Sequence, residues 1–310
     1  MQLKKATALS LLVTLVMLLI FSVPFARAEG SIDIADMMGR AVHLDAPAAR
    51  IVALTASDVE ILYALGAGDK LVGRGAYCDY PAEVSSVPVV QSGAETNYEE
   101  IIALQPQVVL MNTMAQTIEQ SELLTAAGIT VVVSNAADIA GTYESIRLIG
   151  AVAGKSVEAE TLVADMQSAF AEVAAKAAGD LSKSVYFEVS PLEWGLWTAG
   201  SGTFMNELAA MVGVRNAFED VQGWGEISEE QVLARDPDYI VTVGMYFGQG
   251  LTPVEEILSR ESWLGLKAVK NGGVFNANSD EISRPGPRLM DAVWALYDFI
   301  YGADELAPAA

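Results

Sequence analysis

Arg50-Ile51-Val52-Ala53-Leu54-Thr55-Ala56-Ser57-Asp58-Val59-Glu60-Ile61-Leu62-Tyr63-Ala64-Leu65-Gly66 is the stretch on which the fold turns. Its opening, Ile51 to Leu54, is a short apolar run of the kind that forms a buried strand. Ser57 follows as an N-cap candidate three residues before Glu60, at the head of a run that is apolar at helical spacing. Gly66 and Gly68 stop that helix, and Leu71-Val72-Gly73 resumes extended structure. Strand leading directly into helix, then strand again, is the repeating unit of an α/β fold.

Read outward, the unit recurs. A short helix is predicted from Asn97, ended by Pro106, before the β-branched run Gln107 to Met111. A helix over 116–127, with Gly128 as its C′ residue, precedes a strand over 130–134. Such alternation implies a mainly parallel sheet with helices on both faces. From Tyr143 to Ala178 there is no strand signal, and 156–178 suits one long amphipathic helix capped by Ser156, with Leu162, Val163, Met166, Phe170, Val173 and Ala177 on its apolar face. The alternation then restarts with a strand over 184–189, helices over 203–212 and 228–234, strands over 239–243 and 274–276, and a closing helix over 288–301. The expected architecture is two α/β lobes, 29–155 and 179–310, joined by one helix over 156–178. The competing arrangement is a single doubly wound sheet with a long crossover.

The leading 28 residues differ from the rest. Lys4 and Lys5, an apolar run from Ala6 to Phe25, and Ala26-Arg27-Ala28 read as a secretory signal cut after Ala28. An uncleaved anchor is the alternative, since the run approaches the ~20 residues that span a bilayer. The single Cys, Cys78, does not follow the apolar run, so lipid attachment at the cut site is not expected. The expectation is a periplasmic or otherwise secreted, monomeric protein.

Composition narrows the function. The chain of 310 residues is 52% hydrophobic and carries 18 Lys plus Arg against 40 Asp plus Glu, a net charge of −22. A field of that sign repels phosphate, so nucleic acid is excluded as a partner. One Cys and one His cannot build a Cys/His zinc site, an iron–sulfur cluster or an internal disulfide. Dinucleotide, Walker and nucleophile-elbow motifs are missing. His43, in the alternating stretch Arg40 to Leu44, reads as a surface residue on an edge strand, and the acid pairs Glu99-Glu100 and Glu229-Glu230 read as solvated helix faces. The chain is therefore not expected to be an enzyme. An exported hydrolase using Asp79 with Glu193 is the alternative, and it requires two carboxylates about 5–10 Å apart.

Aromatic residues carry more information. Tyr77-Cys78-Asp79-Tyr80-Pro81, Trp194 and Trp197, Trp224, and Tyr246-Phe247 all fall in connections at strand ends. Rigid amphipathic rings there would line a cleft between lobes and suit a large flat or greasy ligand.

On these residues the sequence resembles the binding-protein family that delivers cobalamin, ferric siderophores and haem to ABC importers. The resemblance rests on Asp36 to Arg40, Arg50 to Leu54 with Glu60 to Gly66, Tyr77 to Pro81, Asn97 to Pro106, Thr198 to Phe204, Glu230 to Ala234, and Arg284-Pro285-Gly286-Pro287-Arg288. It implies two Rossmann-like lobes joined by one long rigid helix, with limited lobe movement. It also implies that Glu99 and Glu230, one on each lobe, engage arginines of the importer's membrane subunits. Tyr77, Trp197 and Trp224 resemble ring-contacting residues of cobalamin binders, although 91–96 lacks the Trp that some of them carry. Haem binding would need an axial group such as Tyr77, Tyr80 or Met114. Siderophore binding would use Arg74 or Arg284 against an anionic chelate. A corrinoid arrives with its metal already coordinated, so the protein needs no cofactor or metal ligands of its own. The expected ligand is thus a metal chelate, cobalamin-type ahead of ferric siderophore or haem, held by Tyr77, Asp79, Tyr80, Trp194, Trp197, Trp224, Tyr246, Phe247 and Arg284.

Overall fold

An antiparallel hairpin of β1 (Ile32–Ala35) and β2 (Ala41–Leu44) precedes a parallel sheet built from β3 (Ile51–Ala53), β4 (Leu71–Arg74), β5 (Val108–Met111) and β6 (Thr130–Val133), ordered β4-β3-β5-β6. This is seen in a computed structural model that describes residues 30–93, 95–113, 116–177, 181–246 and 248–305. The leader read over 1–28, Met114 and Phe247 lie outside the described residues. The second half contributes β7 (Ser184–Glu188), β8 (Trp197–Ala199), β9 (Arg215–Asn216), β10 (Trp224–Glu226), β11 (Tyr239–Thr242) and β12 (Val274–Asn276). Of these, β12-β11-β7-β9 form a second parallel sheet, and β8 and β10 pair as an antiparallel ribbon. Every residue of β5 and β7 is buried, as expected where helices cover both faces of a parallel sheet.

Between the sheets runs helix Ser156–Lys176, with Ala159, Val163, Met166, Phe170 and Val173 buried at three- and four-residue steps. It packs against helix Ile139–Ala153, helix Phe204–Met211 and the C-terminal helix Leu289–Glu305, so elements from both halves rest on it. A Cβ on Gly150 would lie 2.6 Å from that of Ala159, which explains the glycine where the two long helices cross closely. No described helix is long and apolar enough to cross a membrane.

Several local expectations need correction. The cap of helix Ala56–Ala64 is Thr55, not Ser57, and Ser57 sits inside the first turn. Thr55 is still extended, at φ −120° and ψ 146°, while its carbonyl already accepts from the Val59 N–H, and its hydroxyl donates to Asp58 at 2.6 Å. Ser156 is likewise the first helical residue, Lys155 being the cap position. The break at Gly154 agrees with the sequence, the glycine taking a left-handed φ of 68° and ending helix Ile139–Ala153 before the long helix begins. Trp197 and Trp224 lie in strands, not loops, because β8 and β10 hydrogen-bond each other with Trp224 opposite Ala199 and Glu226 opposite Trp197. Helices Pro253–Ser259 and Lys267–Lys270 had no counterpart in the sequence reading.

Candidate functional site

A cavity of about 830 Å³ lies between the halves, and the chain reaches it just after the ends of five parallel strands. Ala56 and Ser57 follow β3, Asn112 follows β5, and Ser134, Asn135 and Ala136 follow β6. From the other half, Val189 and Ser190 follow β7 and Val243 follows β11. The crevice outside the carboxyl ends of parallel strands is where open α/β sheets bind ligands, because loops diverge there and backbone groups are left unpaired. A second chamber of about 640 Å³ shares Val189, Ser190, Val243 and Ser283 with the first and extends along Trp194, Tyr246, Met245 and Leu251.

The predicted residues divide into three groups. Trp197, Trp224 and Arg284 line the main chamber, where Trp224 meets the buried Phe204 edge-on with centroids 5.5 Å apart. Trp194 and Tyr246 line the second chamber. Tyr77, Asp79 and Tyr80 line neither, but they stand at the edge of the first: Tyr77 is 83% exposed and its carbonyl accepts from Arg284 Nη2 at 3.4 Å. The Tyr80 ring lies 4.2 Å beneath the Arg288 guanidinium. The sequence reading missed Asn112, Ser134, Asn135 and Ser190, and the signal that could have found them is their position directly after strands β5, β6 and β7.

Arg284 is not a free cation. Its Nη1 donates to Glu60 Oε1 and Asp79 Oδ1, each at 2.8 Å, and its Nη2 lies 2.7 Å from Asp280 Oδ1. Arg288 donates to the same Glu60 through Nη2 at 2.7 Å and Nε at 2.9 Å. Glu60 is 4% exposed, and this cluster ties helix Ala56–Ala64 to the segment after β12. Burial resists ionisation of Asp79, but the Arg284 hydrogen bond and charge outweigh it and hold its carboxyl below the ordinary range. Arg74 does not serve the cleft either, since it donates to the carbonyls of Val84, Val87 and Cys78.

Under the cleft floor, the fully buried Asp58 accepts from Thr55 and from Ser134, a wall residue. Burial pushes its carboxyl up to about 6. Beside the second chamber, the buried Arg260 pairs bidentately with Glu188 at 2.7 and 2.9 Å and also bonds Glu256. Cys78 is buried, with its thiol pushed up to about 12 by desolvation. His43 is exposed on β2, against Asp33 at 2.6 Å and Asp45 at 3.3 Å, and does not line the cleft. Asp79 is tied to Arg284 outside both chambers whereas Glu193 lines the second, so they do not share one wall. Among the described residues no group of three or more His, Cys, Asp and Glu could hold a metal.

In each acid pair one member is structural and the other faces outward. Glu100 accepts from the Gln91 N–H and Glu229 from Ser262 and the Trp263 indole, while Glu99 and Glu230 are exposed in the first turns of their helices.

Two parallel-sheet lobes on one connecting helix, with an aromatic and hydroxyl-lined cleft between them, define a solute-binding protein of the helix-bridged kind. The chain belongs to the periplasmic binding protein family, which it matches over residues 51–281. It is 36% identical, over 87% of its length and 85% of the relative's, to the uncharacterized ABC transporter substrate-binding lipoprotein YvrC of Bacillus subtilis. It is 30% identical, over 78% of this chain and 86% of the other, to the vitamin B12-binding protein of Salmonella typhimurium. A possible iron-binding, periplasmic solute-binding protein of Staphylococcus epidermidis superposes with a TM-score of 0.71 at 30% identity, covering 82% of this chain and 99% of that one. As a member of this family the protein is a substrate-binding component of an ABC importer.

Proposed function

We propose that the protein captures a corrinoid of the cobalamin type between its lobes outside the cytoplasm, as a monomer, and presents it to the importer's membrane subunits through Glu99 and Glu230. The observation that carries this reading is the character of the main chamber's wall. Among the described residues its polar members are Ser57, Asn112, Ser134, Asn135, Ser145, Ser190 and Ser283, all uncharged, and its one charged member, Arg284, is paired with three carboxylates. Hydroxyls and amides suit the amide-bearing rim of a corrin, whereas a bound carboxylate or catecholate would lose its hydration without gaining a free cation. Trp197 and Trp224 offer flat apolar area against the ring, with Tyr77 at the mouth. Chambers of about 830 and 640 Å³ joined end to end exceed the needs of a sugar or an amino acid. The vitamin B12-binding relative supports the same choice. A ferric siderophore is the second reading, favoured by the possible iron-binding protein of Staphylococcus epidermidis.

The test is to mix the protein separately with cyanocobalamin, ferrioxamine B and haemin, desalt, and record absorbance spectra, with titration calorimetry on whatever is retained. Retention of cyanocobalamin alone is expected. Retention of ferrioxamine B without the corrinoid would transfer the assignment to siderophores, and retention of none would end the chelate reading.

A further inference from the structure

The cluster around Arg284 has a property that its tie between the lobes does not require. A single buried glutamate would suffice to hold Arg284 and Arg288, and Glu60 already bonds both. Two more carboxylates, Asp79 and Asp280, come from separate segments and close on the terminal nitrogens of Arg284 alone. Two guanidiniums thus face three carboxylates, and the one charged residue among the described residues of the main chamber's wall belongs to a group with net charge −1.

We propose that Asp79 and Asp280 are specificity-determining residues: by masking Arg284 they make the cleft reject anionic chelates and admit neutral or cationic ones. Arginine in a cleft wall is otherwise the natural partner for carboxylate, catecholate or phosphate, because its planar fork matches their oxygens. Here both terminal nitrogens are already engaged, so an arriving anion would have to displace a carboxylate and then remain beside it. That like-charge juxtaposition is a means of discrimination that leaves a neutral ligand's contacts untouched. The inference rests on the chelate-binding reading above and adds to it the sign of charge that the ligand carries.

The experiment uses the doubly substituted full chain, Asp79→Asn with Asp280→Asn, which keeps Glu60 on both arginines and changes the cluster's net charge from −1 to +1. Three probes are titrated at low and at physiological ionic strength: cyanocobalamin, ferrioxamine B as a monocationic chelate, and ferric enterobactin as a trianionic one. Two unit charges altered beside the cleft are expected to tighten ferric enterobactin about tenfold or more, weaken ferrioxamine B, and leave cyanocobalamin within about threefold. The opposed shifts should shrink with salt. A folded variant that moves all three probes alike, or still excludes the trianion, would overturn the proposal, since a merely structural role does not read the sign of the ligand. If the unsubstituted protein retains no corrinoid, the functional reading falls on its own, while masking is still judged by whether the variant gains the trianion. The single variant Asp79→Asn, at an exposed side chain, supplies the same comparison if the double variant does not fold.

Discussion

Replacing Trp197 by Ala isolates the contribution of one ring to ligand capture. Trp197 lines the main chamber from β8 and is 41% exposed, so it has surface to give a ligand. If a tryptophan side chain offers about 250 Å², the open part is about 100 Å². At about 25 cal/mol per Å², covering all of it would be worth roughly 2.5 kcal/mol, or about a 60-fold change in dissociation constant. A ligand that covers half the ring would give about an eightfold change. The same exposure means that little of the fold depends on this side chain, so the thermal midpoint should shift by only a few degrees. Calorimetric titration of Trp197→Ala with cyanocobalamin reads the affinity, and a thermal melt of the unliganded variant checks the fold. Trp197→Phe should recover part of the loss. An unchanged dissociation constant in a well-folded Trp197→Ala protein would refute the claim that β8 supplies a wall of the binding site.

Three further outcomes are expected. The carboxyl of Asp58 is raised from 3.8 to about 6, so the folded protein keeps a proton that the unfolded chain loses between those values, and stability falls as pH rises through that window. Asp58→Asn should therefore stabilise the protein by up to about 3 kcal/mol at pH 8 and by little at pH 4; denaturant unfolding showing an equal effect at both would contradict the assignment. Arg260→Met strands the buried Glu188 and should cost about 3–5 kcal/mol, most of it recovered in the double variant with Glu188→Leu. Glu99→Ala with Glu230→Ala should leave cyanocobalamin affinity unchanged but abolish importer-dependent uptake, and normal uptake would reduce the two acids to surface charge.

What could be read from the sequence was what local physics decides. The run Ile51 to Gly66 announces strand then helix because the short apolar run at its head and the glycine that stops it are properties of the segment itself, although the helix buries the consecutive residues Asp58 to Leu62 and not a stripe. The same holds for Ser156–Lys176, whose apolar stripe survives without any breaker. Trp197 and Trp224 were recognised as site residues but not as strands, since three-residue ribbons exist only through hydrogen bonds to each other. The partnership of Glu60 with Arg284 spans 224 residues, and that of Asp79 with Arg284 spans 205, so no local pattern could disclose that the cation was already occupied. Cap positions slipped for a related reason: Thr55 and Ser57 are both cap-type residues, and the point at which the backbone turns helical, after an extended Thr55, decides between them.

The arginines show why a count of charges misjudges the cleft. With 40 acids against 18 cations, a shortage of positive charge is the obvious reason for a site that ignores anions. Yet arginines do reach the neighbourhood of both chambers, and each is satisfied within the chain: Arg260 by Glu188 and Glu256, Arg284 by Glu60, Asp79 and Asp280. An unpaired guanidinium at such buried or half-buried positions would carry a desolvation cost that only a ligand anion could offset. Supplying the anion from the protein removes that cost before any ligand arrives and leaves rings, hydroxyls and amides to face it. The masking of the wall's cation is therefore a product of long-range pairing, and it should change with the removal of one carboxylate as readily as with the addition of a base.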